Sequence, residues 1–189
     1  RFHITGAFDK IYPISKCWLM DDLHNKIRNE IEHYAKEIGM TFYDVRAQKG
    51  LLRNLMFRNS NTGEWMLLIQ FHYDTPEDDT LAKKLMQHIS DEFPQISSLI
   101  YVDNQKGNDT IGDQDLITFK GTDFIYEMMG ELKFKVGPKS FYQTNTEQAH
   151  RLYEVAKNFA FKDLPNDFKP LVYDLYTGTG TIANYVAKK

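Results

Sequence analysis

The segment LVYDLYTGTGTIA, residues 171–183, decides the fold class of the second half of the chain. Residues 170–176 form an almost continuous apolar run broken by Asp174, a pattern typical of a parallel strand covered on both faces. Gly178 and Gly180 follow, and glycine lets a backbone turn sharply and approach a ligand closely. A helix is predicted directly after this turn. The order strand, glycine-rich turn, helix predicts the opening of an α/β unit, with a ligand site at the carboxyl end of the strand.

Three interpretations of this turn are open. It can be a plain strand–helix connection without a ligand. It can be a dinucleotide site, because Gly178-x-Gly180-x-x-Ala183 satisfies the pattern G-x-G-x-x-G/A, although the expected acidic partner would lie about 20 residues on, beyond Lys189. It can also be an S-adenosylmethionine site, with Asp174 as the acid at the strand end. The turn alone leaves the last two open.

The preceding segment separates them. FKVGPKSFYQTN, residues 134–145, precedes a predicted helix over 146–161 and then the DLYTGTGT motif. This combination closely resembles the RNA uridine-5-methyltransferase family, and most of all the branch that acts on large-subunit ribosomal RNA. The resemblance is specific over 131–189 and weaker along the rest of the chain. It implies a central α+β domain over 1–137, followed by the beginning of a Rossmann-like α/β methyltransferase domain over 138–189.

The same resemblance implies S-adenosylmethionine as cofactor and an RNA, ribosomal in the closest branch, as substrate. Phe141 and Gln143 are expected to contact a uracil that has left the helical stack, since an aromatic ring can stack on a base and an amide can both donate and accept. The alternatives are that Phe141 anchors the loop in the core and that Gln143 is an exposed loop amide. Asn145 is predicted to cap the next helix. The expected cofactor contacts are Gln143, Asp174, Tyr176, Gly178, Gly180 and Thr181.

The chemistry implied by the resemblance is covalent. A cysteine thiolate adds to carbon 6 of the uracil, carbon 5 takes the methyl group, and a general base removes the proton from carbon 5. The family places nucleophile and base well after the glycine-rich motif, so we expect no catalytic residue in this chain and expect it to be an inactive internal fragment. Cys17 is interpreted as a small buried residue. The alternatives are half of an NAD-type oxidoreductase domain and a non-catalytic RNA-binding module.

Residues 1–137 predict a mostly antiparallel sheet with return helices, because strands and helices are segregated and do not alternate singly. Thr75 is the predicted cap of the second helix. The predicted elements are a hairpin over 1–16, helices over 21–38 and 77–93, a strand pair at 51–58 and 65–73, and strands at 98–103, 116–119, 123–127 and 131–136.

Composition narrows the classes of function. The 189 residues carry a formal charge of −3, so charge does not predict RNA binding, which stays open only through a local patch. The basic stretch 44–58 and the alternating Lys133, Lys135 and Lys139 are each interpreted first as an ordinary solvated face. A single cysteine fits a cytoplasmic location, and neither it nor the six histidines predict a metal site. No apolar run of about 18 residues predicts a membrane span. The apolar strand at 170–176 would have two free edges, so it is expected to be ordered by self-association of the fragment or by packing on the helix over 146–161.

Overall fold

The computed structural model describes residues 2–165, 168 and 170–187, without the side chain of Phe8. It divides into two compact units. Unit 1 comprises Arg1–Asn59 and Glu64–Asp123, and unit 2 comprises Ser60–Gly63 and Phe124–Lys189. The hairpin that precedes residue 137 thus lies in unit 2. The family domains predicted at 1–137 and 138–189 stay a prediction.

The elements follow the predicted order in most of the chain. The helices are α1 (Asp22–Glu37), α2 (Asp78–Glu92), α3 (Thr146–Phe161) and α4 (Thr181–Ala187). The strands are β1 (His3–Ile4), β2 (Ala7–Ile11), β3 (Leu52–Asn59), β4 (Trp65–Phe71), β5 (Ile96–Asp103), β6 (Ile117–Gly121), β7 (Ile125–Met129) and β8 (Leu132–Val136).

Unit 1 is built on a four-stranded sheet of order β3-β4-β5-β6. β3 pairs antiparallel with β4, and β5 pairs antiparallel with β6, whereas β4 and β5 are parallel and joined through α2. The mixed α+β class and the antiparallel character of most pairings are therefore confirmed. Apolar residues of α1 and α2 pack in one core with residues of the sheet, among them Ile27, Ile31, Leu85, Ile89, Leu67, Ile69 and Phe71.

The two helices of unit 1 begin differently. The Asp21 side chain accepts a hydrogen bond from the Leu23 N–H at the start of α1. The predicted cap of α2, Thr75, is wrong. The carboxylate of Asp78 instead reaches back and accepts from the N–H groups of Asp74 and Thr75, at 2.8 and 2.9 Å. Because a carboxylate in the first turn already accepts hydrogen bonds from the N–H groups that precede the helix, a hydroxyl cap is not needed.

Unit 2 contains the antiparallel hairpin β7–β8, then α3 and α4. Asn145 caps α3 as predicted, since its side-chain oxygen accepts from the Gln148 N–H at 3.0 Å. The predicted strand at 170–176 is wrong: residues 171–174 pair with no described strand, and Leu171 and Leu175 are 79% and 76% exposed. An extended segment without a ladder partner gains no inter-strand hydrogen bonds, whatever its apolar pattern. The expected packing of this segment on α3 is also not found, because its side chains face solvent.

Candidate cofactor turn and substrate loop

Asp174 holds the glycine-rich turn to the start of α4. Its Oδ2 accepts two hydrogen bonds, from the Thr177 hydroxyl and from the Ala183 N–H, both at 3.0 Å. The Gly180 N–H donates to the Thr177 carbonyl at 2.8 Å and closes the turn. The carboxylate predicted to contact a cofactor therefore also has a local task, which is to fix the shape of the turn.

The two glycines are required for different reasons. Both have positive φ, 57° at Gly178 and 72° at Gly180, where a side chain is strained. A Cβ at Gly180 would lie 3.0 Å from Nδ2 of Asn184, whereas one at Gly178 would meet no atom of the described residues within 4 Å, its two chain neighbours aside. The backbone at Gly178 is thus open on that side, as a ligand in close approach to it requires.

Two further predicted contacts flank the glycines. Tyr176 has φ of 60°, which is unusual for a bulky residue, and its side chain is fully exposed. Thr181 is buried, and its hydroxyl lies 2.7 Å from the hydroxyl of Thr179. The turn therefore presents Tyr176 outward and keeps Thr181 inside.

In the loop before α3, exposed and buried side chains also alternate. Ser140 closes it by hydrogen bonds in both directions with the backbone of Gly137, each 3.1 Å long. Phe141 is 75% exposed and Gln143 is exposed, while Tyr142 between them is buried, with its ring centroid 5.9 Å from that of Phe134. Tyr142 anchors this loop, so the alternative role of Phe141 as a core anchor is excluded.

Tyr142 carries a feature that sequence reasoning missed. Its hydroxyl is buried and finds no hydrogen-bond partner among the described residues. Burial raises the pKa of Tyr142 to about 12, with Glu127 and Tyr153 adding to the effect. Glu127 is itself buried on β7 and accepts a hydrogen bond from the Thr146 hydroxyl at 2.7 Å. In the sequence, Phe141 and Tyr142 are adjacent aromatic residues, and no pattern indicates which of the two side chains is buried. No sequence pattern indicated that Glu127 would be buried near them.

Helices α3 and α4 bring a second group of rings toward the turn. The Tyr185 ring centroid lies 6.0 Å from that of Tyr153 and 5.3 Å from that of His150. Burial raises the pKa of Tyr153, and the nearby Asp174 raises it further. The predicted cofactor residues of the turn are therefore together, but among the described residues no hydrogen bond joins them to Phe141 or Gln143.

Other kinds of site find little support in the described residues. They include no group of three or more His, Cys, Asp or Glu side chains that could hold a metal ion. Cys17 is half-buried in unit 1, where its N–H donates to Oδ1 of Asn25 and its carbonyl accepts from Nδ2 of the same residue. None of the helices in the described ranges is long and apolar enough to cross a membrane.

No family model matches the chain. Comparison with curated proteins finds relatives that share the name RNA methyltransferase. The chain is 53% identical over 188 residues to an uncharacterized RNA methyltransferase of Bacteroides thetaiotaomicron, covering 100% of this chain and 40% of that protein. It is 48% identical to an uncharacterized RNA methyltransferase of Porphyromonas gingivalis, covering 98% of this chain and 39% of that protein. The chain thus spans about two fifths of the length of these relatives.

A solved structure shares the fold. It is the Pyrococcus abyssi tRNA (uracil-54, C5)-methyltransferase in complex with S-adenosyl-L-homocysteine. The TM-score is 0.70 at 20% sequence identity, over 99% of this chain and 43% of that one. With the fold shared and the relatives aligned along almost the whole chain, the resemblance seen in the sequence is confirmed. Over almost its whole length the chain is similar to proteins named RNA methyltransferases.

Proposed function

We propose that this chain is part of an enzyme that transfers a methyl group from S-adenosylmethionine to carbon 5 of a uridine in RNA. The names of the two bacterial relatives and of the structural neighbour support this activity. The chain spans about two fifths of those proteins, so the activity is proposed for a protein of their full length. The relatives' names give no support to the alternative of an NAD-type oxidoreductase.

The open turn at Gly178 is the observation that carries the proposal. Asp174 fixes the turn through Thr177 and Ala183, and apart from the chain neighbours of Gly178 no described residue has an atom within 4 Å of where its Cβ would lie. These residues fit S-adenosylmethionine, whose amino acid end would lie over the glycines. When bound, the cofactor supplies the methyl group. Tyr176, Gly180, Thr181 and Gln143 are the other proposed contacts.

Phe141 and Gln143 are the proposed contacts to the target uracil. Both side chains are exposed, on a loop that the buried Tyr142 holds in place. An exposed ring can stack on an unpaired base, which is worth about 1–3 kcal/mol per base. The Gln143 amide can read a uracil edge without adding charge, because it donates and accepts at once.

The covalent step is proposed to use a cysteine outside these 189 residues. Its thiolate forms a bond to carbon 6, carbon 5 takes the methyl group, and a general base removes the carbon 5 proton as the thiolate leaves. Cys17 is not assigned this role, because it lies beside Asn25 in unit 1 and no described base contacts its thiol. We therefore expect the 189-residue segment alone to be inactive and to bind the cofactor weakly at best. Methyl transfer to uridine-containing RNA by the purified segment would contradict this.

Cofactor binding is tested on the full-length protein with Gly178→Ala and the matched control Gly63→Ala. Gly63 also has positive φ and open space around its Cβ position, but it lies in the β3–β4 turn. We expect both variants to lose similar stability, because both force alanine into the left-handed region. Only Gly178→Ala should weaken S-adenosylhomocysteine binding, by about tenfold or more, measured by calorimetry. Equal affinities in the two variants would contradict a cofactor contact at Gly178. A thermal shift larger with NAD than with S-adenosylhomocysteine would contradict S-adenosylmethionine as the cofactor.

The RNA is proposed on the sequence resemblance, and the compartment on the single cysteine. We propose ribosomal RNA as the substrate and the cytoplasm as the location. Incubating the full-length protein and radiolabelled cofactor with separate ribosomal and transfer RNA fractions from a strain lacking the gene tests the first. We expect the label in the ribosomal fraction. Label found only in transfer RNA would contradict ribosomal RNA as the substrate.

A further inference from the structure

Lys133 and Lys135 lie on the outer face of the β7–β8 hairpin. Side chains along β8 alternate, with Phe134 and Val136 buried and the two lysines exposed. Successive side chains of a strand point to opposite sides, so the two lysines share one face about 7 Å apart along the strand. This is a local concentration of positive charge in a chain whose formal charge is −3.

Aromatic rings hold both ammonium groups in place. The Lys133 Nζ lies 3.8 Å from the centroid of the Tyr126 ring, and the Lys135 Nζ lies 3.8 Å from that of Phe124. The strand register places Tyr126 directly opposite Lys135 and Met128 directly opposite Lys133. Each lysine therefore contacts an aromatic ring that lies diagonally across the hairpin and not directly opposite. The two rings meet edge to face with centroids 5.2 Å apart. We call these four residues, Phe124, Tyr126, Lys133 and Lys135, the lysine–aromatic face.

These lysines differ from two arginines of another basic stretch, residues 44–58. There Arg53 is buried and bound to Asp109 and to two backbone carbonyls, and Arg46 is paired with Asp9. Among the described residues, neither Lys133 nor Lys135 forms an ion pair with a carboxylate. Arg53 and Arg46 are thus each bound to an aspartate of this chain, while Lys133 and Lys135 are exposed and lie over aromatic rings.

We propose that the lysine–aromatic face binds a single-stranded segment of the RNA substrate, an inference that rests on the proposed function. Two ammonium groups at neighbouring outward positions suit successive phosphates, and binding releases counterions from the RNA. A cation–π contact at an exposed site is weaker than base stacking on the same ring. A base can therefore displace an ammonium group from its ring and leave it free to pair with a phosphate. Charge complementarity alone would admit an acidic peptide, but the planar rings favour a ligand with bases.

The first test measures binding of a short fluorescent oligouridylate to the full-length protein. We expect K133Q/K135Q to weaken binding about twentyfold at about 0.1 M salt, and to reduce the slope of log K against log salt by about 1.4. The matched control is K26Q/K84Q, which removes the same charge from exposed positions of α1 and α2. Its affinity and salt slope should equal those of the wild type.

A second variant separates the rings from the charges. F124L/Y126L keeps apolar side chains and both lysines, so binding should weaken several-fold while the salt slope stays unchanged. A thermal melt of each variant verifies folding. Equal binding by K133Q/K135Q and K26Q/K84Q would overturn the proposal, and so would displacement of the RNA by oligoglutamate at equal concentration.

S-adenosylhomocysteine binding keeps the two proposals distinguishable. All three double variants should bind it as the wild type does, since no substituted residue belongs to the glycine turn. If the wild-type full-length protein does not bind it, the proposed function fails whatever the RNA results. If it binds and the lysine–aromatic face has no effect on RNA affinity, only the present inference fails.

Discussion

The two units of this chain bury their apolar residues to very different extents. The largest fully buried side chains, such as Phe71 and Leu85, all lie in unit 1. In unit 2, large apolar side chains remain exposed on α3 and along the segment before the glycine turn. They are Leu152, Val155, Phe159, Leu171, Val172, Tyr173 and Leu175. Unit 1 therefore has a complete core of its own, whereas unit 2 presents apolar surface that further chain or a partner can cover.

The largest expected difference is in the free energy of unfolding lost when one leucine of each unit is replaced by alanine. Leu85 is fully buried on α2, so Leu85→Ala removes packed atoms and leaves a cavity, at a cost of about 2–5 kcal/mol. Leu175 is 76% exposed, so Leu175→Ala should change the free energy of unfolding by less than about 0.5 kcal/mol. Urea unfolding of the 189-residue chain measures both. A similar loss in the two variants would mean that residues 171–175 are packed in solution.

Glycines of the two units give the next contrast. A Cβ at Gly121 would lie 1.8 Å from the Ser97 carbonyl oxygen, and φ is also positive there. We expect Gly121→Ala to cost about 3 kcal/mol, because the backbone of β5 or β6 must move. Gly178→Ala should cost only the left-handed strain of about 1–2 kcal/mol. Thermal unfolding ranks the two, and a larger loss at Gly178 would reverse the comparison.

The exposed segment of unit 2 is also the expected route of self-association. Although residues 171–174 form no strand within one chain, their free backbone groups and apolar side chains can pair with a second copy. The expectation is that the isolated 189-residue chain shows a concentration-dependent sedimentation coefficient that L171S/L175S abolishes. Substituting two exposed apolar residues of unit 1, as in W18S/L19S, provides the control. Association that persists in L171S/L175S and disappears in the control would place the contact in unit 1.

A pH effect is expected in unit 1. His24 is buried against Phe57 and Trp65, its Nδ1 has no described partner, and burial lowers its pKa below the usual 6.5. The unfolded chain therefore binds a proton more readily, so the stability from this site is complete above about pH 6.5 and is lost as pH falls below it. His24→Leu should flatten the dependence of the urea midpoint on pH in that range. The exposed His33 offers a control, His33→Gln, in which the dependence should persist.

The smallest expected effect is at Tyr142. Its hydroxyl is buried without a described partner, so Tyr142→Phe removes an unsatisfied group and should be neutral or stabilise unit 2 by about 1 kcal/mol. Thr146→Val is the contrasting variant, because it removes the hydroxyl that donates to Glu127 and should destabilise by about 1 kcal/mol. Chemical denaturation followed by tyrosine fluorescence reports both changes. A clear loss in Tyr142→Phe would show that this hydroxyl has a partner in solution.

Much of the architecture was predictable because it depends on local sequence. The helix predicted over 21–38 is found as α1, in which Ile27 and Ile31 are buried, and Asn145 marked the start of α3. The strands on either side of the Asn59–Gly63 turn were also predictable. In each case the decisive interactions are between residues close in the chain, such as caps, turns and amphipathic periodicity. The motif DLYTGTGT likewise indicated a turn entering a helix.

Other features depended on contacts that the sequence does not encode locally. The apolar run at 170–176 has the composition of a buried strand, yet a strand requires a hydrogen-bonding neighbour, and none is described. Phe141 and Tyr142 are neighbouring aromatic residues, and only the packing against Phe134 decides which one is buried.

The alternating lysines at 133 and 135 were visible in the sequence as charge. Their contacts with Tyr126 and Phe124 follow from the register of β7 against β8, which is a property of the paired strands. The sequence by itself thus determined the helices, the turns and the family that the chain resembles, because local preferences and motifs depend on residues close together in the chain. Tertiary structure alone decided which side chains are buried and which face solvent, because burial depends on residues distant in sequence.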